Sequence, residues 1–183
     1  MQNIPITMIR PHMNEIPQYN LPNGYRIRLF QTNDIDTWTS IETAVNEFPN
    51  KHAAKARFTK EFANEIDLFT KRCLILENEE RKAIGTTTAW YGIPQSMEET
   101  YGRIHWVAII PEYQGKGLAK PLLTAAMNIL AKHHDKAYLT SQTISYQAIN
   151  MYLNYGFHPH MTKQTCQQAW TLLEEKLNRN ILT

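Results

Sequence analysis

The chain has 183 residues, of which 43% are hydrophobic and 20% charged, and its formal net charge is +2. This length and composition predict one globular domain, and the small charge gives no indication of binding to nucleic acid or to an anionic membrane surface. The first residues, MQNIPITMI, lack the basic region and the long apolar run of a secretion signal, and no stretch resembles a membrane span. We therefore expect a cytoplasmic protein with no nucleic-acid or membrane partner.

Neither the cysteines nor the histidines have the spacing that a disulfide framework or a metal site requires. Two cysteines, Cys73 and Cys166, suit free thiols in a reducing compartment. His158 and His160 share one face of a predicted strand, but no third ligand follows at the usual spacing. The sequence predicts no metal cofactor.

The first 24 residues contain four prolines, which predicts an extended arm with one short strand near residues 6–9 rather than a helix. We assign residues 1–24 to this arm and residues 25–183 to a single domain. The domain opens on an alternating strand at residues 25–30.

Two helices are predicted next from the spacing of apolar residues. The first begins at Asn33 or Asp34 and runs to about Phe48. The second is capped by Thr59 and runs through Phe69, and residues 51–57 are predicted as a loop or a short helical turn between them. The later elements are strands at 73–76, 83–91, 101–110 and 137–140, helices from near 117 to about 132, at 145–155 and at 165–177, and a last strand that begins at 157.

The strongest functional signal is the turn between the strand that Pro111 ends and the helix that follows. It reads Gln114-Gly115-Lys116-Gly117-Leu118-Ala119. Glycine tolerates positive φ and lets a ligand approach the backbone closely. The first amides of a helix have no intrahelical partner and, with the helix dipole, can bind an anion such as a diphosphate. Lys116 adds a positive charge.

Three known patterns can be compared with this turn. A P-loop requires a Ser or Thr after its lysine, whereas here Lys116 precedes Gly117. A dinucleotide fingerprint fails at Lys120, where its last glycine belongs. The pattern Q/R-x-x-G-x-G/A fits Gln114, Gly117 and Ala119, and the stretch resembles the acyl-CoA pyrophosphate loop of the GNAT N-acetyltransferases. A strand-turn-helix junction that binds nothing is the alternative interpretation of the loop by itself.

A second stretch resembles the same family. Its signature N-x-x-A-x-x-L-Y-x-x-x-G-F is matched within residues 145–157 at Ala148, Tyr152, Gly156 and Phe157, with Met151 in place of Leu and Ser145 in place of Asn. Two motifs in the family's order argue against a chance resemblance, which covers about residues 25–157.

The resemblance implies a mixed α/β (α+β) GNAT fold. Its sheet is central, twisted and mostly antiparallel, has six to seven strands flanked by helices, and is splayed between strands 4 and 5. It also implies acetyl-CoA as co-substrate, a primary amine as acceptor, and a monomer or homodimer. Members of the family commonly finish with a strand, so the predicted C-terminal helix is a departure that either covers the sheet or makes a dimer contact.

The resemblance also assigns the co-substrate contacts. The pantetheine arm pairs with strand main-chain groups opposite Thr140 and Ser141, the diphosphate binds the glycine turn, and Ser145 keeps a hydroxyl for a hydrogen bond. The predicted cofactor-binding residues are Val107, Ala108, Ile109, Gln114, Gly115, Lys116, Gly117, Leu118, Ala119, Thr140, Ser145 and Tyr152.

An alkylamine has a pKa near ~10.4 and needs a base before it can attack a thioester. His105, with an ordinary histidine pKa of about 6.5, is the best candidate. Its place, nine residues before Gln114, resembles that of the catalytic histidine of arylalkylamine N-acetyltransferases. The histone acetyltransferases place a catalytic glutamate two residues earlier. That position is Arg103 here, so a glutamate base is not available. A hydrogen-bonded structural histidine is an equal alternative.

Tyr152 resembles the family's general acid, which protonates the departing thiolate, and a packed aromatic residue is the alternative. Together these residues predict acetyl transfer from acetyl-CoA directly to an amine in a ternary complex. A CoA-binding sensor or interaction module without turnover is the alternative function, and transfer of a longer acyl group is a third.

Overall fold

The structure is a computed structural model, and it describes residues 1–182. The fold is a mixed sheet of seven strands flanked by α-helices. The strands are β1 (Pro5–Arg10), β2 (Arg26–Leu29), β3 (Cys73–Glu77), β4 (Ala83–Gly92), β5 (Tyr101–Ile109), β6 (Ala137–Gln142) and β7 (His158–Pro159). The α-helices are α1 (Ile35–Ala44), α2 (Lys51–Phe62), α3 (Ile66–Arg72), α4 (Ala119–Leu130), α5 (Tyr146–Asn154) and α6 (Gln164–Leu177).

The strand order is β2-β3-β4-β5-β6-β1-β7, and the sheet is mostly antiparallel, which confirms the predicted fold class. When the arm strand β1 is left out of the count, β5 and β6 are strands 4 and 5 of the prediction. They are parallel and pair at Gly102–Ala137 and Arg103–Tyr138. Both pairs lie within the first three residues of β5.

The contacts divide the chain into two compact units. The terminal unit comprises Met1–Pro17, Tyr91–Arg103 and the chain from Leu130 onward. The middle unit comprises Gln18–Trp90 and Ile104–Ile129. Each unit is described by itself below.

In the terminal unit, the strand predicted near residues 6–9 is present as β1. It pairs with β6 on one side and with β7 on the other, both antiparallel. Ile6 and Met8 are buried, as the alternation of a strand requires. This part of the arm is therefore an interior strand of the sheet.

The predicted C-terminal helix is confirmed as α6. Its buried stripe, formed by Cys166, Ala169, Trp170 and Leu173, faces the terminal unit, where α6 contacts α5 and β1. Of the two roles considered for this helix, packing onto the sheet is the one that these contacts support.

In the middle unit, residues 51–57 were predicted as a loop or a short helical turn, and the structure shows them as the first half of helix α2, which begins at Lys51. The side chain of Asn50 accepts a hydrogen bond of 2.9 Å from the N–H of Ala53 and so caps the helix. Ala54, Phe58 and Phe62 form its buried face. Thr59, predicted as a cap, lies inside the helix. The basic residues that suggested a loop are exposed, which a helix surface accommodates without cost.

In the terminal unit, the side chain of Arg10 binds the C-terminal end of α5 through hydrogen bonds. One of its Nη atoms donates to the carbonyl of Tyr155 and the other donates to the carbonyl of Asn14 at 2.5 Å. The side chain is buried, with 4% of the residue exposed. Gly156 follows with a φ of +76°, the left-handed cap that the second motif predicted, and a Cβ on it would collide with Arg10 Nη1.

We expect Gly156→Ala to lower the free energy of unfolding by about 1–3 kcal/mol, because left-handed strain adds to the displacement of Arg10 from its hydrogen bond to Tyr155. Gly24→Ala is the matched control: Gly24 has a φ of +88°, but a Cβ there meets only ordinary contacts at 3.5 Å. Its cost is expected to be about 1 kcal/mol. Urea unfolding measures both, and equal costs would show that the Arg10 contact contributes nothing.

Candidate active site

The glycine turn leads from β5 to α4 in the middle unit. Gly115 and Gly117 have φ values of +75° and +76°, and a Cβ built on either would meet nothing within 4 Å. The side-chain Nε2 of Gln114 donates to the carbonyl of Ile109 at 2.8 Å and ties the turn to the end of the strand. The backbone of the turn is thus bent by its glycines and open on the side where their side chains are missing.

The main-chain N–H groups of the turn are better placed to bind an anionic ligand than the side chain of Lys116 is. Within residues 1–182, the N–H groups of Gly115, Lys116 and Gly117 have no hydrogen-bond acceptor. The ammonium of Lys116 lies 4.5 Å from the ring centroid of Tyr113. The hydroxyl of Tyr113 in turn accepts a hydrogen bond of 2.8 Å from Asn78. Unpartnered amides at the entry to a helix are the groups that bind a diphosphate.

The strand β5 carries a bulge at Trp106, whose φ is +50°. Consecutive residues of a regular strand point to opposite faces of the sheet. Here His105 and Trp106 both contact the same carboxylate, that of Glu61 on α2. The bulge therefore turns two neighbouring side chains toward one point.

The carboxylate of Glu61 is the centre of a hydrogen-bonded cluster. Its Oε1 is bonded to Nε2 of His105, and its Oε2 accepts from Nε of Arg57 at 2.9 Å and from Nε1 of Trp106 at 3.3 Å. Only 8% of His105 is exposed. The cluster is therefore a histidine–carboxylate pair shielded from most of the solvent.

Burial acts to raise the pKa of Glu61, but the hydrogen bonds and charges of His105 and Arg57 outweigh it and lower the pKa to about 2. Glu61 is thus ionised at neutral pH, so the proton between the two side chains lies on His105 Nε2. Because the folded pKa is below the unfolded one, this pair stabilises the fold above pH ~4.5, and the contribution is lost as the pH falls toward 2.

Aromatic rings surround this pair. The ring centroid of Trp106 lies 4.6 Å from the ring centroid of His105, 5.3 Å from that of Phe48 and 5.7 Å from that of Trp38. The guanidinium carbon of Arg57 lies 5.6 Å from the centroid of Trp106. Trp38 is fully buried, whereas Phe48 and Trp106 are half-buried and line the side of the cluster nearer to solvent.

Sequence reasoning missed Glu61. A signal was present, since Arg57 and Glu61 are four residues apart and such residues meet on a helix face. The spacing has that meaning only on a continuous helix, whereas residues 51–57 were predicted as a loop or a short helical turn and the next helix was predicted to begin at Thr59. The partner of His105 could not be found by spacing at all, because 44 positions separate it from Glu61.

Of the other predicted site residues, four lie in the middle unit, on β5 or at the start of α4: Val107, Ala108, Leu118 and Ala119. Thr140, Ser145 and Tyr152 lie in the terminal unit. Tyr152 is buried, with 6% exposed, and its ring meets that of Phe157 edge-on at 6.2 Å. Burial raises the pKa of its phenol, so the group is neutral and carries its proton. The hydroxyl of Thr140 accepts from Arg103 at 3.3 Å. Ser145 precedes α5, and its hydroxyl does not cap that helix.

Comparison with known proteins agrees with this fold. The family described as "Acetyltransferase (GNAT) family" matches residues 36–157. The chain belongs to the GNAT acetyltransferase family. The resemblance inferred from the two motifs is thereby confirmed. No curated protein matches this GNAT chain significantly.

Solved structures share the fold at low sequence identity. A GCN5-related N-acetyltransferase from Sphaerobacter thermophilus aligns with a TM-score of 0.59 and 18% identity, over 86% of this chain and 50% of its own. A GNAT-family acetyltransferase from Colwellia psychrerythraea aligns with a TM-score of 0.61 and 13% identity, over 87% and 54%. A tandem GNAT protein from the clavulanic acid biosynthesis pathway aligns with a TM-score of 0.58 and 13% identity, over 85% and 50%. This GNAT chain thus spans about half the length of these structures, and the likeness shows the fold alone.

Two structural features bear on location and on metals. In the part of the chain that the structure describes, no helix combines the length and apolar character needed to cross a membrane. Among the same residues, His, Cys, Asp and Glu side chains do not come together in threes as a metal site requires.

Proposed function

We propose that this GNAT protein transfers the acetyl group of acetyl-CoA to a primary amine in a ternary complex, in the cytoplasm. The observation that carries the proposal is the His105–Glu61 pair on the bulged strand, because it is the arrangement that a base acting on an amine needs. The open glycine turn supports an acyl-CoA co-substrate, as does membership of the family.

In this proposal the co-substrate binds through its diphosphate to the N–H groups of residues 115–117. Its pantetheine arm pairs with main-chain groups of residues 107–109, with Thr140 and Ser145 as further contacts. Acetyl-CoA supplies an activated acetyl group. The protein's part is to hold that group and to move two protons.

His105 is the proposed base. In the neutral form of the ring, which a base requires, the proton on Nε2 is donated to Glu61 and the lone pair is on Nδ1. Nδ1 takes a proton from the acceptor amine, directly or through one water molecule, while Glu61 stabilises the imidazolium that forms. The amine nitrogen then attacks the thioester carbonyl carbon, so that a C–N bond forms and the C–S bond breaks.

Tyr152 is the proposed proton donor to the departing thiolate. Burial raises the pKa of its phenol, so the group is neutral at pH 7 and its hydroxyl can donate to the sulfur of the leaving thiolate. The proton removed from the amine and the proton given to sulfur balance, and no acyl-enzyme is formed.

We expect Lys116→Ala to weaken acetyl-CoA binding by less than about threefold, because its ammonium rests on Tyr113. Gly117→Val, which adds a branched side chain at positive φ on the open face, is expected to weaken it by about tenfold or more. Titration calorimetry measures both. Lys136→Ala is the control for the loss of a lysine that also contacts an aromatic ring, at 5.3 Å from Tyr101.

Release of free thiol across a panel of primary amines tests the activity itself. Unchanged acetyl-CoA affinity in Gly117→Val would contradict the proposed binding mode. If the protein binds acetyl-CoA but releases no thiol from it with any amine, the result would favour the non-catalytic sensor.

A further inference from the structure

The cluster around His105 also carries information about the acceptor, and the argument rests on the proposed acetyl transfer. We infer that the acceptor is an amine that also bears a carboxylate and an apolar or aromatic body, as an amino acid with an apolar side chain does. The groups that recognise these three parts are His105, Arg57, and the rings of Trp106 and Phe48.

Arg57 is the carboxylate-binding group. Its side chain is 46% exposed, and only its Nε is engaged by Glu61. Within residues 1–182, its two Nη groups have no hydrogen-bond acceptor. A guanidinium with an unused pair of Nη donors matches a carboxylate in a bidentate manner, which a lysine cannot reproduce.

Arg57 and His105 are bonded to the two oxygens of one carboxylate. Glu61 thus holds the guanidinium and the imidazole next to each other. In an α-amino acid, the amine and the carboxylate are attached to the same carbon. The spacing therefore favours a compact zwitterion over a molecule whose charges are far apart.

The charge of helix α2 also favours an acceptor that bears a carboxylate. The helix carries four basic side chains, at positions 51, 55, 57 and 60, and one carboxylate, that of Glu61. That carboxylate is already engaged by Arg57 and His105. Lys55 is paired with Asp36 of α1 at 3.3 Å, and the other basic side chains of α2 leave it with an excess of positive charge. No carboxylate of α2 is left for a second ammonium, which disfavours a polycationic acceptor and favours an anionic group.

The rings of Phe48 and Trp106 supply an apolar surface beside these charges. They are half-buried, lie 5.3 Å apart and are tilted by 41°. Ring faces of this kind bind aliphatic or aromatic groups, and an aromatic body gains further from offset or edge-on stacking.

The test compares matched acceptors in the thiol-release assay. L-Phenylalanine and 2-phenylethylamine differ in one carboxylate, and spermidine represents polycations. We expect kcat/KM for phenylalanine to exceed that for 2-phenylethylamine by about 10- to 100-fold, the range of a charge-assisted bidentate contact. Spermidine is expected to be the poorest of the three.

Arg57→Gln should reduce the ratio of the two kcat/KM values to near one, mainly through KM for phenylalanine. A merely structural role for Arg57 would lower both values alike and leave the ratio unchanged. Lys71→Gln, which removes an exposed charge from α3, is the control and keeps the ratio within about twofold.

A ratio near one in the unmodified protein, or a preference for spermidine, overturns the inference while acetyl transfer stands. If none of the amines tested produces thiol release, the proposed function is overturned, and the inference with it.

Discussion

Replacing His105 by alanine is expected to lower kcat for amine-dependent thiol release by about 100- to 10,000-fold, the range of a lost general base. The amine would then reach the thioester still protonated, without a lone pair for attack. KM for acetyl-CoA should change little, because the diphosphate is assigned to the glycine turn. Steady-state kinetics at pH 7 measures both quantities.

His133→Ala is the control for this variant, since His133 is exposed and has no assigned role. A thermal melt establishes that both variants fold. Retention of activity within about threefold in His105→Ala would leave His105 as a structural residue, the alternative that the sequence left open.

Glu61 acts through His105 and is a positioning residue, so Glu61→Gln should cost less, about 10-fold. Its distinguishing readout is the pH profile. The negative charge of Glu61 favours the protonated imidazole, and without it activity should persist to lower pH. An unshifted acid limb would indicate that the pair does not act in the reaction.

The second large effect is on stability. Replacing Glu42 by glutamine is expected to make the protein more stable than the unmodified chain at pH 8, by on the order of 3 kcal/mol, and similar to it at pH 5. Glu42 lies on α1 in the middle unit with 2% of the residue exposed, and among the described residues its Oε1 has no hydrogen-bond partner. Burial first, and the charge of Glu47 second, raise its pKa to about 8.

The sign follows from proton binding. Between pH ~4.5 and 8, the folded protein holds a proton on Glu42 that the unfolded chain has released. The free energy of unfolding therefore falls as the pH rises through this window, and levels off above it. Glutamine has nearly the same shape and no charge, so it removes this fall.

Urea unfolding at pH 5, 6, 7 and 8 measures the effect. Glu47→Gln is the control, because Glu47 is exposed and contributes only the smaller cause. Parallel curves of stability against pH for Glu42→Gln and the unmodified protein would contradict a strained, buried carboxyl group.

The fold could be predicted from local signals wherever those signals set the backbone directly. Pro111 ends β5, the two glycines of the turn adopt positive φ, and Gly156 ends α5, each by the conformational limits of a single residue. Alternation and helical spacing located the strands and most helices for the same reason, since burial of one face requires them.

The start of α2 was missed because the preceding helix was predicted to run to about Phe48, so that Asn50 lay just beyond its end and was not identified as a cap. The structure ends α1 at Ala44 and uses the Asn50 side chain to begin α2. Asparagine serves turns and caps equally, so the sequence alone did not distinguish them.

The sequence by itself determined the family, the sheet and the glycine turn, because these depend on backbone chemistry confined to short segments. Only the tertiary structure decided that His105 is paired with Glu61 and that Arg57 stands beside them. That pairing joins residues 44 positions apart, and it needs a bulge at Trp106, a residue type with no intrinsic preference for positive φ. Such a bulge is imposed by the packing around it, which no local pattern reports.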